Sequence, residues 1–320
     1  MNINLLVESL TNPALLFFFL GIIAVRLKSD LAIPANSSKF ISLYLLFAIG
    51  FKGGQELAHS EWDLGILYAI LFGVGTACVI PLYTFFILKK KLSLENSGAI
   101  AAAYGSVSAV TFVTAASFLE MQSISFSGHM VAIMALMEAP AIVLGVLLIR
   151  WSGDGVGQNT KMGGIIKHSM TNGSVFLILG SLIIGLLANE HEAEGIKPFT
   201  TDIFKGFLAI FLLDMGITSG KKLKDFLQSG KFTTAFALII PMINGVLVAY
   251  LSGWVTPDVG DRFMLSILAA SASYIAVPAA MKMAVPKANP GIFLPMALAV
   301  TFPFNITFGF PLYFMIINIS

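Results

Sequence analysis

Apolar blocks separated by short polar breaks run the length of the chain, near residues 13–26, 38–53, 64–88, 97–118, 128–150, 173–189, 202–219, 232–253, 263–281 and 291–317. At about 1.5 Å of rise per residue these blocks are of the length needed to cross a hydrocarbon core of about 30 Å. A backbone in lipid has to satisfy its own hydrogen bonds, so the blocks are predicted to be ten transmembrane α-helices and the chain an all-α polytopic membrane protein. Composition agrees: 57% of the residues are hydrophobic and 11% charged, against about 25% charged in soluble domains.

The placement of charge orients these spans. Of the 19 basic residues, 15 fall on the odd-numbered connections or their edges: Arg26, Lys28, Lys39, Lys89, Lys90, Lys91, Arg150, Lys161, Lys167, Lys221, Lys222, Lys224, Lys231, Lys282 and Lys287. Lys52, Lys197, Lys205 and Arg262 lie on the other side, beside acidic stretches such as Glu56/Glu61/Asp63 and Glu190/Glu192/Glu194. The positive-inside rule then puts both termini outside, the odd connections in the cytoplasm and the protein in the cytoplasmic (inner) membrane. No basic stretch or small-residue cleavage motif precedes the first block, which reads as a permanent helix. A net charge of +2 with no basic run longer than Lys89-Lys90-Lys91 gives no nucleic-acid signal. The single cysteine, Cys78, rules out an intrachain disulfide.

The fifth connection begins Ser152-Gly153-Asp154-Gly155-Val156-Gly157 and divides the chain at its midpoint. It separates a first repeat (1–151) from a second (173–320), with 152–172 as a cytoplasmic connection; five spans per half make the second half inverted relative to the first. Internal echoes support the repeat. Ile49-Gly50-Phe51-Lys52-Gly53-Gly54 returns 166 positions later as Met215-Gly216-Ile217-Thr218-Ser219-Gly220, and Ala102-Ala103-Tyr104-Gly105-Ser106-Val107-Ser108 returns at 167 as Ala269-Ala270-Ser271-Ala272-Ser273-Tyr274-Ile275.

Spans 4 and 9 carry helix-weakening clusters near mid-span, Gly105 to Thr111 and Ser271 to Pro278. A helix broken there offers N–H groups, hydroxyls and a positive dipole end to a small anion, and carbonyls and hydroxyls to Na⁺. Small residues also serve close helix packing, which is the alternative for either cluster taken alone. Ionisable groups inside spans are costly and therefore informative. Glu138, beside Pro140 in span 5, is a candidate for cation binding or proton coupling; at an offset of 167 it falls opposite Asn305 in span 10. Asp214 in span 7 is a further candidate, or a partner of Lys221 or another helix. The histidines, His59, His129, His168 and His191, show no ligand spacing and read as surface residues. With no P-loop, G-x-S-x-G or H-E-x-x-H motif, neither an ATP-driven pump nor a hydrolase has local support, and the chain is not read as an enzyme. A membrane-embedded sensor is disfavoured, since no soluble domain is appended to pass on a signal.

These residues resemble the sodium-dependent bicarbonate transporters of cyanobacteria and their wider bacterial relatives. The resemblance rests on Ile49-Gly50 with Gly53-Gly54, on Gly105-x-Val107-Ser108 followed by Thr111, on Glu138-x-Pro140, on Ser271-Ala272-Ser273 before Pro278, and on Pro286-x-Ala288-Asn289-Pro290. It implies Na⁺-coupled uptake of a small anion, bicarbonate being the family's substrate, by a homotrimer that needs no cofactor beyond the coupling ion. It places the anion around Gly105, Ser106, Ser108, Ser271 and Ser273 and the cation near Ser108, Thr111 and Glu138; Val107, Ala272 and Tyr274, within the same breaks, are added as anion candidates, and Asn305 and Asp214, from their place in the spans, as cation candidates. It also raises a PII-like regulatory protein as a partner. The chain departs from the cyanobacterial pattern in both halves: Tyr274 stands where those transporters have Asp, Ala276 and Val277 replace the small residues that follow, and Glu138 stands where they have the shorter acid. Transport of another small anion or an organic carboxylate, coupled to Na⁺ or H⁺, is the alternative.

Overall fold

The computed structural model describes residues 13–60, 63–153, 163–164, 167, 171–227 and 230–320. Most of the Gly-rich connection, with Lys161 and His168, lies outside the described residues, as do Glu61 and the first twelve positions. Among the described residues the structure is helical throughout, with no strand. The helices are α1 (Pro13–Arg26), α2 (Ala35–Ala58), α3 (Leu64–Leu88), α4 (Leu94–Gly105), α5 (Ala109–Met121), α6 (His129–Ser152), α7 (Gly173–Leu187), α8 (Glu190–Lys197), α9 (Phe204–Leu227), α10 (Lys231–Leu251), α11 (Val259–Ala270) and α12 (Ala276–Ala284). A last helical run, α13 (Pro290–Ile319), contains two π-helical stretches, Met296–Thr301 and Asn305–Gly309.

The starts of these helices follow from their caps. Asp63, Ser93 and Asp258 accept from the amides of Ile66, Asn96 and Asp261 at 3.0, 3.3 and 2.8 Å, and Asn289 accepts from Gly291 with Pro290 in the first turn of α13. Asn189 and Glu192 form a reciprocal capping box on α8.

Among the described residues six runs have the length and apolarity of a membrane span: Leu64–Leu88, Leu94–Met121, His129–Ser152, Glu190–Leu223, Lys231–Trp254 and Pro290–Ile319. α1 and α7 are apolar but shorter. Of the other predicted spans, α2 carries Lys39, Lys52 and Glu56, and the ninth block is split between α11 and α12, of 12 and 9 residues. The chain is thus a multi-pass membrane protein.

The helices pack as two groups. In one, α1 lies on α9 and α2 on α7, and glycines set both crossings. A Cβ at Gly216 would overlap the Phe18 carbonyl and lie 3.2 Å from Gly21 Cα; a Cβ at Gly185 would overlap the Phe51 carbonyl and lie 3.1 Å from Gly54 Cα. Backbones approach this closely only where no side chain intervenes. In the second group α3, α4 and α6 pack on one another, and so do α10, α11 and α13. α5, which follows α4 in the chain, packs on the other set through an aromatic cluster in which Phe118 stacks on Phe263 at 5.2 Å and meets Phe310 and Phe314, both at 5.7 Å.

Two matching ties close this second group. The Asn289 amide, ahead of α13, donates to Asn96 Oδ1 on α4 at 2.8 Å; the Ser127 amide, ahead of α6, donates to Asp261 Oδ1 on α11 at 2.7 Å. Asn96 and Asp261 are each the third residue of a half-helix.

One histidine departs from expectation. His129 is 7% exposed, with Nε2 3.6 Å from Asp261 Oδ2, because the second of these ties buries the start of α6 against α11. His59 and His191 are exposed.

Substituting Gly185 or Gly216 by leucine should force these helices apart. The expected cost is about 1–3 kcal/mol for overpacking a close-packed contact, read as a lower melting temperature in detergent, whereas leucine at Gly75, which has open space around it, should leave melting unchanged.

Candidate functional site

α4 and α11 are both twelve residues long and start 165 positions apart; α5 and α12 start 167 apart. The first break, residues 106–108, is therefore two residues shorter than the second, 271–275. Both begin alike, Ser106 at φ −81°, ψ −179° and Ser271 at φ −84°, ψ 170°, extended backbone that ends each half-helix at once. Gly105 closes α4 because α3 passes directly over it: a Cβ there would overlap the Pro81 ring and come within 3.3 Å of Ala141.

The breaks are hydrogen-bonded to each other. The Ser108 amide donates to Ser271 Oγ at 3.0 Å, Ser271 donates in turn to the Leu268 carbonyl at 2.9 Å, and the Ser273 amide donates to the Ala103 carbonyl at 2.8 Å. Ser108 also starts α5, its Oγ accepting from the Thr111 amide at 3.1 Å. Ser273 Oγ accepts from the Val277 amide at 3.5 Å at the start of α12. Two helix N-termini, with their positive dipole ends, thus begin at the same crossing.

A cavity of about 30 Å³ lies against it, room for about two water-sized particles. Val107, Ser108, Ser273 and Tyr274 line one side, with Glu138 from α6. The opposite wall comes from the other helix group: Leu46 of α2 and Ser174, Val175 and Ile178 of α7. The Glu138 carboxylate has neither a hydrogen bond nor an ion pair with any described residue. An unpaired carboxylate in a membrane helix, beside hydroxyls and a small cavity, is chemically suited to a cation or a proton.

The remaining predicted residues fall around this cavity rather than on it. Ser106 is fully buried and its hydroxyl has no partner among the described residues. Ser271 is committed to the crossing, and Ala272 is buried within it. Thr111 is buried in the first turn of α5 behind Ser108. Asn305 donates from Nδ2 to the last carbonyl of α11, Ala270, at 2.8 Å and accepts from Tyr313 at 3.2 Å. Asp214 is buried between α9 and α2, where Ser38 donates to it; its partner is another helix rather than Lys221. The Tyr274 hydroxyl lies 3.8 Å from Met215 Sδ on α9. Sequence reasoning missed the second wall: Ser174 sits in an ordinary apolar block, and only the packing of α7 brings it opposite Glu138.

The sequence model of the Na⁺-dependent bicarbonate transporter superfamily matches residues 13–318, nearly the whole chain. No curated protein matches the chain.

Ser271→Ala should leave the Ser108 amide without its acceptor inside the protein. A loss of about 1–3 kcal/mol is expected, seen as a lower melting temperature. Ser273→Ala should cost less, because the bond from residue 273 to Ala103 uses the backbone; equal losses would show that the crossing does not depend on the Ser271 hydroxyl.

Proposed function

The chain belongs to the Na⁺-dependent bicarbonate transporter superfamily, and on that premise we propose that it is a secondary active transporter coupling Na⁺ influx to uptake of a small anion, bicarbonate first. The observation that carries this is the unpaired Glu138 carboxylate on the same cavity as Ser108, Ser273 and Tyr274. Glu138 and Ser108 hold Na⁺, with Thr111 behind them fixing Ser108. The anion sits at the breaks, between Gly105 and Ser108 and between Ser271 and Tyr274, where two helix N-termini compensate its charge. The Ser108 amide and the Ser271 hydroxyl are engaged in the crossing, so the hydroxyls of Ser106, Ser273 and Tyr274 are the donors assigned to it. Asn305 and Asp214 act indirectly, one on the end of α11 and the other on the packing of α2 with α9. No cofactor beyond the coupling ion is needed.

We read the architecture as ten spans in two inverted repeats, 1–151 and 173–320, joined in the cytoplasm, with both termini outside the inner membrane. Three pairs of contacts support it. α1 on α9 mirrors α2 on α7; the α3, α4 and α6 set mirrors α10, α11 and α13; the Asn96 tie mirrors the Asp261 tie. Transport then proceeds by alternating access, the group holding the breaks moving against α1, α2, α7 and α9, since the cavity lies between the two. A homotrimer and control by a PII-like protein belong to the same reading.

Tyr274 favours a second reading, transport of another small anion or an organic carboxylate with Na⁺ or H⁺, because it fills part of the cavity wall with a phenol.

The test is ¹⁴C-bicarbonate uptake into proteoliposomes under an imposed Na⁺ gradient with a matched K⁺ control. Na⁺-dependent uptake is expected, falling to the K⁺ background in Glu138→Gln while the protein stays folded. Unchanged uptake in that variant would remove Glu138 from the cation site. No uptake by intact wild-type protein would move the cargo to the second reading.

A further inference from the structure

The cavity at the crossing has a larger neighbour. A vestibule of about 320 Å³ is lined by Ile49, Lys52, Gly53 and Glu56 of α2, by the far end of α5 including Glu120, and by Gly128 ahead of α6. On the orientation proposed above it faces outside. The two spaces lie along the same helices: α2 runs from Leu46 on the cavity to Ile49 on the vestibule, and α6 from Met134 on the cavity back to Gly128. Three residues of helix on one side and six on the other amount to about 4.5 and 9 Å, so the barrier between them is thin.

That barrier is a contact between the two helix groups. Gly128 lies against the backbone of α2, where a Cβ would overlap the Gly53 carbonyl and stand 2.7 Å from the Leu57 amide nitrogen. A Cβ at Gly53 would stand 3.1 Å from Val131 Cβ and only 2.5 Å from its Cγ2. Val131 is 1% exposed, and Gly53 and Gly128 are buried. A β-branched side chain in a helix has one strongly preferred rotamer, so Val131 cannot swing clear. Gly53 thus admits a valine cap between two backbones, on the stretch of α2 and α6 that runs from cavity to vestibule.

We propose that the contact of Gly53 with Gly128 and Val131 is the outer gate of the transporter, closed in this conformation, and that solute passes from vestibule to cavity when it parts. The proposal rests on the transport reading and its orientation. A side chain at 53 overlaps Val131 in the closed arrangement alone, so it shifts the population towards arrangements in which α2 and α6 are apart.

Cysteine accessibility tests it without any solute. Ala135→Cys, on the cavity, in a Cys78→Ala background, is reconstituted in one orientation and labelled with a membrane-impermeant methanethiosulfonate from either side. With Gly53 in place labelling should be slow from outside. Gly53→Ala should raise that rate about tenfold and lower the rate from inside, and Val131→Ala added to it should return both towards their starting values by removing the overlapping methyls. Unchanged outside labelling in correctly inserted Gly53→Ala protein, or no reversal in the double variant, would overturn the gate; so would the same effect seen only from inside. If Gly53→Ala fails to insert, Gly128→Ala, whose Cβ would overlap the Gly53 carbonyl, should raise outside labelling in its place, and no rise overturns the proposal. Because labelling needs no bicarbonate, a chain that failed the uptake test would still report on the gate.

Discussion

Interrupting a helix inside a membrane leaves amides and carbonyls with no water to satisfy them, and the rest of this structure is arranged around that problem. It is answered by crossing two interruptions. The Ser108 amide finds Ser271, the Ser273 amide finds the Ala103 carbonyl, and the last carbonyl of α11 finds Asn305. Each break supplies the partner the other lacks, so neither half-helix pair is self-sufficient. This explains why α4, α5 and α11 are almost wholly buried while α3 and α10 carry the outward apolar faces.

Burying the crossing makes a second demand, for helices that approach without intervening side chains. Glycine meets it repeatedly, among other places under Pro81 at Gly105, between α1 and α9 at Gly21 and Gly216, and between α2 and α7 at Gly54 and Gly185. The last two lie within one helix group and hold it as a unit. Between the groups, at Gly53 and Gly128, the approach is as close but is flanked by open space, a small cavity on one side and a vestibule on the other. Stiff bodies with a thin seam between them are what movement of one against the other needs.

The sequence carried the breaks and the acid plainly, for physical reasons. Clusters of Gly, Ser and Pro serve packing when taken singly, but here they recur at matching places in two spans, and a carboxylate such as Glu138 is costly inside a membrane. Partner choice was not legible: Ser108 and Ser271 are 163 positions apart, and nothing in either cluster says which hydroxyl meets which amide. Asn305 shows where periodicity runs out. An offset of 167 set it opposite Glu138, but two π-helical stretches in α13 add residues to the turns around it, so 3.6-residue spacing no longer carries face to face. His129 gave no signal, because its burial depends on Asp261 from another helix.

The two breaks are not equal, and the inequality bears on what the site can hold. Offsets of 165 before the breaks and 167 after them mean that the second carries two residues more than the first. Those residues do not loop away from the crossing. Tyr274 and Ile275 stand in the cavity wall, the phenol reaching towards Met215 on the other helix group. A strictly symmetric crossing would offer two like sites; here one half brings a carboxylate from α6 and the other a phenol from the break. A carboxylate and a phenol are thereby set on a single cavity, and the phenol reaches across to the other helix group.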